Sequence, residues 1–376
     1  MALDSRIKNA KTLAKEAFGE LKEIQTGKKP IIKTGQDFID CHIGGLLPSD
    51  VIVLAAGSGV GKTKLLYDTL DLMLDTEVNT NADDIVSLEF SLEMKFLNRI
   101  IRDVHKKTGK KKSLILKDEF SEEEKEIVRR YYESLQDDRR FVCEDTITDK
   151  EFYEMTREFC KQNEEKHAVV ISLDHLLLVL PDNKSLDRFE TIANYVNQLR
   201  KEFKNVYFIL LSQFNRLSFQ NVADRSNEMV PKASMIYGSS HFEFLSSYII
   251  GIMDPFKMGV TEFMKVNRER YEWLEGFMVD EDKKGKVAFD TVGNLFYFCL
   301  KARESDNPFK NLFIREMDLN ADQKDIMNKE FKTPEMSLPK TPIFGDEQNP
   351  YKNVKSNFNT KDAFGITEES SDDVPF

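Results

Sequence analysis

The sequence predicts an α/β fold in which a mostly parallel sheet is covered by helices. Two observations carry the prediction. From about residue 35, short apolar runs at 51–56, 85–90, 169–173, 206–211, 247–252 and 295–300 alternate with helical stretches, the order from which helix-covered parallel sheets are built. The first run passes directly into a loop of small residues and then a helical stretch, the context that a phosphate-binding loop demands. With 376 residues, 40% of them hydrophobic, the chain can bury the core of one large domain or two modest ones.

Along the chain, Ile7, Ala10, Leu13, Ala14, Ala17, Leu21 and Ile24 recur at spacings of three and four and describe one helix with an apolar stripe. Gly27 and Pro30 stop it. Its stripe can pack on its own body or on a neighbouring subunit. The sheet region follows. Between the second and third runs lies a charged helical block, including 121–136 and 149–165, and a charge-dense segment at 258–286, with the only tryptophan, Trp273, reads as an insertion near the end of the sheet. After Asp318 hydrophobic periodicity fades while Pro, Asn, Lys and acids accumulate, the pattern of a disordered acidic tail. The expected organisation is a helix at 1–30, a core at 31–317 and a flexible tail at 318–376, with no internal repeat.

The net charge is −11, of which 318–376 contributes −5 from 12 acids and 7 Lys, leaving −6 on the body. Phosphate binding is driven by clustered Lys and Arg. Any nucleic-acid path must therefore be a local basic lining, and charge by itself neither supports nor excludes one. The apolar runs fall far short of the roughly 20 residues that span a bilayer, and no secretory leader is visible, so a soluble, cytoplasmic protein without membrane contact is expected. Cys41, Cys143, Cys160 and Cys299 lie far apart and fit neither a zinc site nor a disulfide framework, which leaves reduced core thiols.

The strongest local signal is Ala56-Gly57-Ser58-Gly59-Val60-Gly61-Lys62-Thr63. Backbone N–H groups there can cradle phosphate oxygens, Lys62 can reach the β and γ phosphates, and the Thr63 hydroxyl can ligate Mg²⁺. ATP and Mg²⁺ are the cofactors this implies. Hydrolysis also needs one carboxylate for the metal's water shell and another to orient the attacking water. Asp174 and Glu93 each follow an apolar run, at the strand ends where ligands of open α/β sheets gather; singly, each can equally be a solvated acid or a helix cap. Gln213 ends another run, where an amide can sense the γ-phosphate or simply close a strand. Lys301 and Arg303, one residue apart after the last run, read as an edge hairpin with both cations on one side. They can be solvated, or reach a neighbour's γ-phosphate as an arginine finger.

In order and type these residues resemble the motor domain of DnaB-type hexameric replicative helicases of bacteria and phages, which has a RecA-like core. Residues 34–46 resemble the segment that leads into the family's first strand, and Phe90-Ser91-Leu92-Glu93-Met94 matches its Phe-Ser-Leu-Glu-Met motif in full. The resemblance implies that Glu93 polarises the attacking water. Leu173-Asp174-His175-Leu176 is similar to the metal-binding Asp-Tyr-Leu motif, Ser212 to Arg216 to Ser-Gln-Leu-Asn-Arg, and Lys301-Ala302-Arg303 to the Lys-x-Arg finger given to the next subunit. It implies a hexameric ring that hydrolyses ATP, translocates on single-stranded DNA and unwinds duplex at a replication fork, in the host cytoplasm if phage-encoded. The likeness covers about residues 30–317 and is weakest at 233–248. There Met235 and Tyr237 replace an Asp and an Arg that help hold DNA, leaving Arg216, Tyr237, Gly238 and Ser240 as candidate DNA contacts. Tyr237 can stack on a base or merely pack. The family's primase-recruiting N-terminal domain has no counterpart, and the first helix resembles the linker helix that docks on the adjacent subunit.

The last residues, 368–376, resemble the acidic tip of bacterial single-stranded-DNA-binding proteins. Asp372, Asp373, Pro375 and Phe376 offer charge, a ring and a carboxylate to a basic, apolar pocket on a replisome partner such as primase or polymerase; otherwise the tail is a solubility element. Two competing functions remain at this level: a RecA-like recombinase filament, and a replisome adaptor whose nucleotide site controls assembly only.

Overall fold

All six apolar runs fold as strands of one sheet. The computed structural model describes residues 9–29, 31–183, 187–215, 230–260, 262–279, 285–303, 305 and 311–317, all within a compact unit spanning Met1–Met327. In chain order these residues form α1 (Ala10–Gln25), α2 (Asp37–Ile43), β1 (Val51–Ala56), α3 (Lys62–Met73), β2 (Ile85–Ser91), α4 (Phe96–Thr108), α5 (Lys112–Ile115), α6 (Glu122–Ser134), β3 (Arg140–Cys143), α7 (Asp149–Gln162) and β4 (Ala168–Asp174). Then come α8 (Arg188–Glu202), β5 (Val206–Gln213), α9 (Ser239–Leu245), β6 (Tyr248–Met253), β7 (Glu262–Asn267), β8 (Lys286–Asp290), β9 (Asn294–Ala302) and β10 (Leu312–Glu316).

The main sheet runs β10-β9-β6-β1-β5-β4-β2-β3. Every pairing from β6 to β3 is parallel, whereas β9 runs antiparallel to both β6 and β10. The central runs lack polar alternation because both faces are covered. Successive side chains point to opposite faces: Val51, Val53 and Ala55 join a core with Phe152, Ile192, Val196 and Phe242 from α7, α8 and α9. Ile52, Leu54 and Ala56 face Phe38, Ile39, Leu65, Leu66, Leu70 and Met73 from α2 and α3. Each such side chain, fully buried, contributes roughly 1.5–3 kcal/mol of transfer free energy.

The charged block resolves into α6 and α7, each opened by a capping box, Ser121 with Glu124 and Thr148 with Glu151. Between them runs β3, a four-residue edge strand that sequence reading missed, paired only to β2. The expected insertion at 258–286 extends to Asp290 as the two-stranded β7–β8 sheet. It packs on the sheet edge: Phe263 meets Phe296 of β9 edge-to-face at 5.0 Å, and Trp273 Nε1 donates to the Leu312 carbonyl of β10 at 3.1 Å. In α1 no residue is buried, and Leu13, Phe18 and Leu21 are exposed, so its apolar stripe does not pack on the body. Ile7, Pro30, Arg216 and the whole of 318–376, with Asp372, Asp373, Pro375 and Phe376, lie outside the described residues. Among those described, no helix is long and apolar enough to cross a membrane, and the four cysteines form no disulfide.

Candidate nucleotide site and the segments around it

Four sequence-predicted residues converge at the C-terminal ends of adjacent strands, where β1, β5, β4 and β2 deliver Lys62, Gln213, Asp174 and Glu93 in turn. After Ala56 the chain turns through Gly57, Ser58, Gly59, Val60 and Gly61 before α3 begins at Lys62. Gly59 and Gly61 hold φ of 72° and 109°, the left-handed region that glycine alone enters without cost. Open space surrounds the Cβ position of both, so the demand is conformational rather than steric. No side chain caps the N-terminus of α3. Its first N–H groups are therefore open to an anion, and the helix dipole favours one.

Lys62 is buried, its Nζ donating to the Gly57 carbonyl at 3.3 Å. Burial lowers its pKa, while the nearby charges of Glu93 and Asp174 act to raise it. Asp174 is 1% exposed. Burial raises its pKa to about 6, with Glu93 adding to the rise and Thr63, Lys62 and Arg102 opposing it. The Thr63 hydroxyl leans towards this carboxylate, yet neither Asp174 oxygen finds a hydrogen-bond partner of good geometry. The following peptide is cis, and burial drives the His175 pKa down to about 4, with Lys62 adding to the fall, so the imidazole beside the carboxylate is neutral at neutral pH.

Glu93 is exposed, in the turn after β2. Pairing of β2 with β4 sets Ser91 opposite Asp174, and Leu92 N–H donates to the Asp174 carbonyl at 2.6 Å, so both carboxylates are fixed by one ladder. Gln213 lies beside Ala56 in the register of β5 with β1. The Ser234–Gly238 stretch is pinned to this strand end. Tyr237 N–H donates to the Gln213 carbonyl at 3.0 Å, Asn215 N–H to that of Met235 at 2.7 Å, and Ser212 Oγ to that of Tyr237 at 3.2 Å. Tyr237 is half-buried and Ser240 exposed. Gly238 holds φ 70°, and a Cβ there would meet the Phe189 ring at 2.7 Å.

Lys301 and Arg303 do not join this group. Ala302 pairs with Tyr248, which pairs with Ile52, so they sit at the opposite end of the strands, roughly 13 Å away along β1 at about 3.3 Å per residue. There they cap the C-terminus of α9: Lys301 Nζ donates to the carbonyls of Glu243 and, at 2.8 Å, of Ser246, and Arg303 Nη2 to that of Phe244 at 2.5 Å. The strand that carries Lys301 is flanked on both sides, by β6 and β10, rather than lying at the edge.

Sequence reading also missed three neighbours. Lys257, in a 3₁₀ turn after β6, donates to the Gly59 carbonyl at 3.0 Å and pairs with the buried Asp254 at 3.3 Å. Tyr67 of α3 and Arg99 of α4 are buried beside the turn that carries Glu93. Nothing local marks any of them, since each is defined by partners distant in the chain.

A family model described as the DnaB-like helicase C-terminal domain matches residues 32–255. Among solved structures, one of an isolated ATPase domain is similar with a TM-score of 0.57 and 16% identity, over 83% of this chain and 96% of that one. A structure of a DnaB-like replicative helicase and its interactions with primase is similar with a TM-score of 0.54 and 16% identity, over 83% of this chain and 64% of that one. At such identity these two likenesses speak for the fold alone. No curated protein sequence matches the chain significantly.

Proposed function

The chain belongs to the DnaB-like helicase C-terminal domain family, whose model matches more than half of it, and on that premise we propose how its residues divide the work of an ATP-hydrolysing replicative helicase. The phosphate loop from Ala56 to Thr63 binds the triphosphate, with Lys62 against the β and γ phosphates. The observation that carries the reading is Asp174: a buried carboxylate with both oxygens unpartnered, beside the Thr63 hydroxyl, fits a hydrated divalent cation that Thr63 ligates directly and Asp174 through water. Bound Mg²⁺ supplies charge neutralisation at the β and γ oxygens. Glu93 orients the attacking water and Gln213 reads the γ-phosphate. Because Gln213 also holds the Tyr237 backbone, a change at the phosphate reaches the segment of Tyr237, Gly238 and Ser240, which we assign to single-stranded DNA together with Arg216.

Members of this family bind single-stranded DNA, form hexamers and interact with primase. For this chain we assign a hexameric ring in which Lys301 and Arg303, remote from their own phosphate loop, serve the neighbour's γ-phosphate. The exposed apolar stripe of α1 supports docking on an adjacent subunit. We assign residues 372–376 to docking on a basic, apolar pocket of a replisome partner.

ATP turnover, with and without single-stranded DNA, tests the reading. Lys62→Ala should lose nucleotide binding. Glu93→Gln should bind ATP normally while turnover falls on the order of a hundredfold or more, since the cradle stays intact. Normal turnover in Glu93→Gln would remove that residue from the chemistry, and wild-type turnover indifferent to DNA would remove the motor.

A further inference from the structure

Tyr67 lies five residues into α3 after Lys62, almost one and a half turns on. A tyrosine buried on the inner face of a helix needs no explanation beyond packing. Its hydroxyl does, because an unpaired buried hydroxyl is costly and phenylalanine would fill the same space. The hydroxyl sits 3.0 Å from Ser91 Oγ, and Ser91 Oγ donates in turn to the Met94 carbonyl at 2.7 Å. A serine hydroxyl has one proton. With that proton committed to Met94, Tyr67 must be the donor to Ser91, so the two bonds form a directed chain from α3 to Met94. Ser91 and Met94 bracket Leu92 and Glu93, and the second bond closes the turn on which Glu93 stands.

The tyrosine ring is itself fixed. The Arg99 guanidinium stacks 3.8 Å from its centroid, and Arg99 is held by the buried Glu89 of β2 at 3.3 Å and by Asp71 of α3 at 3.4 Å. All of Tyr67, Glu89, Ser91 and Arg99 are buried, so solvent cannot substitute for a bond that is lost.

We propose that Tyr67 is a positioning residue for Glu93, acting through Ser91 to tie the helix that begins at the phosphate loop to the turn that aims the water-orienting carboxylate. The inference rests on the role assigned to Glu93 above. Its physical content is that α3 and this turn move as one body, so the distance from cradle to carboxylate is set before nucleotide arrives. Misplacement of a reacting group by about 1 Å can cost on the order of a hundredfold in rate.

Tyr67→Phe removes one hydroxyl and keeps the ring under Arg99, while Ser91→Ala removes both bonds. In the full-length chain, steady-state kcat and KM for ATP, fluorescent-nucleotide affinity and thermal unfolding are measured for each, for the double variant and for Glu93→Gln. The expected result is kcat lowered roughly tenfold in both single variants with nucleotide affinity and KM unchanged. The double variant should be no slower than Ser91→Ala, because groups acting in series are not additive. Full kcat in Tyr67→Phe, or a lower melting temperature with kcat intact, overturns the inference, as do losses that add in the double variant. If those outcomes accompany a dead Glu93→Gln, the tie alone fails and the carboxylate keeps its role; if Glu93→Gln turns over normally, both fall.

Discussion

At the scale of single residues, the site combines a demand on backbone conformation with a demand on charge. Gly59 and Gly61 satisfy the first; Lys62 and Asp174, buried together and each moving the other's proton equilibrium, embody the second. Gly238 poses the conformational demand again, in a crowded setting. Its positive φ and the Phe189 ring 2.7 Å from a would-be Cβ mean that Gly238→Ala combines left-handed strain with a clash. Each cost is about 1–2 kcal/mol or somewhat more. Chemical denaturation should show a loss of about 2–4 kcal/mol, and a loss below about 0.5 kcal/mol would mean that the Phe189 ring and the turn relax freely. Because Tyr237 is bonded to Gln213, the same variant should lose DNA stimulation of turnover before it loses basal turnover.

At the scale of elements, β9 and α9 form a unit whose purpose the single chain leaves incomplete. Lys301 and Arg303 rest on the carbonyls that end α9, on the side of the sheet away from the phosphate loop. A cation needed only to cap a helix contributes about 0.3–1 kcal/mol, whereas an arginine finger contributes thousandfold effects or more to turnover. Arg303→Ala should accordingly bind ATP with wild-type affinity and hydrolyse it poorly. Mixed with Lys62→Ala protein, it should regain activity, because some interfaces then pair an intact loop with an intact finger. Mixtures no more active than the separate variants would confine Arg303 to capping.

At the scale of the whole molecule, pH and partner binding are the accessible readouts. His42 is buried in α2 with Nδ1 2.6 Å from Ser305 Oγ and Nε2 unpartnered, and burial lowers its pKa. A depressed histidine binds its proton more weakly when folded than when unfolded. Its contribution is therefore complete above the unfolded value of about 6.5 and is lost as pH falls below it. Asp174, raised to about 6, has the opposite sign, gaining stability as pH falls through that value. The two are separated by comparing variants: the stability of wild type relative to His42→Asn should shrink between about pH 7 and 5, and parallel melting curves would exclude His42 as the cause. For the tail, deletion of 374–376 should leave ATPase activity and assembly near normal but weaken capture of replisome components, and Phe376→Ala should do so at unchanged charge. Equal recovery by intact and truncated protein would reduce the tail to a solubility element.

What the sequence determined by itself is what is local. The phosphate loop is eight consecutive residues whose glycines meet a backbone requirement in place. The six apolar runs read as strands because helices cover both faces of the sheet and leave no polar alternation. The helix starts at Ser121 and Thr148 follow from capping chemistry three residues long. Family resemblance added the roles of Glu93, Asp174 and Gln213, which the strand order brings to one edge of the sheet. Only the tertiary structure decided the rest. The exposed four-residue β3 has too little hydrophobic pattern to announce itself, and the β7–β8 hairpin is defined by its packing on β9 rather than by its own charge-dense sequence. Lys257 on Gly59, Tyr67 on Ser91 and Arg303 on Phe244 join residues 198, 24 and 59 positions apart. No periodicity encodes such pairs. They arise because the order of strands in the sheet, fixed by the packing of both cores at once, brings together chain ends that the sequence keeps separate.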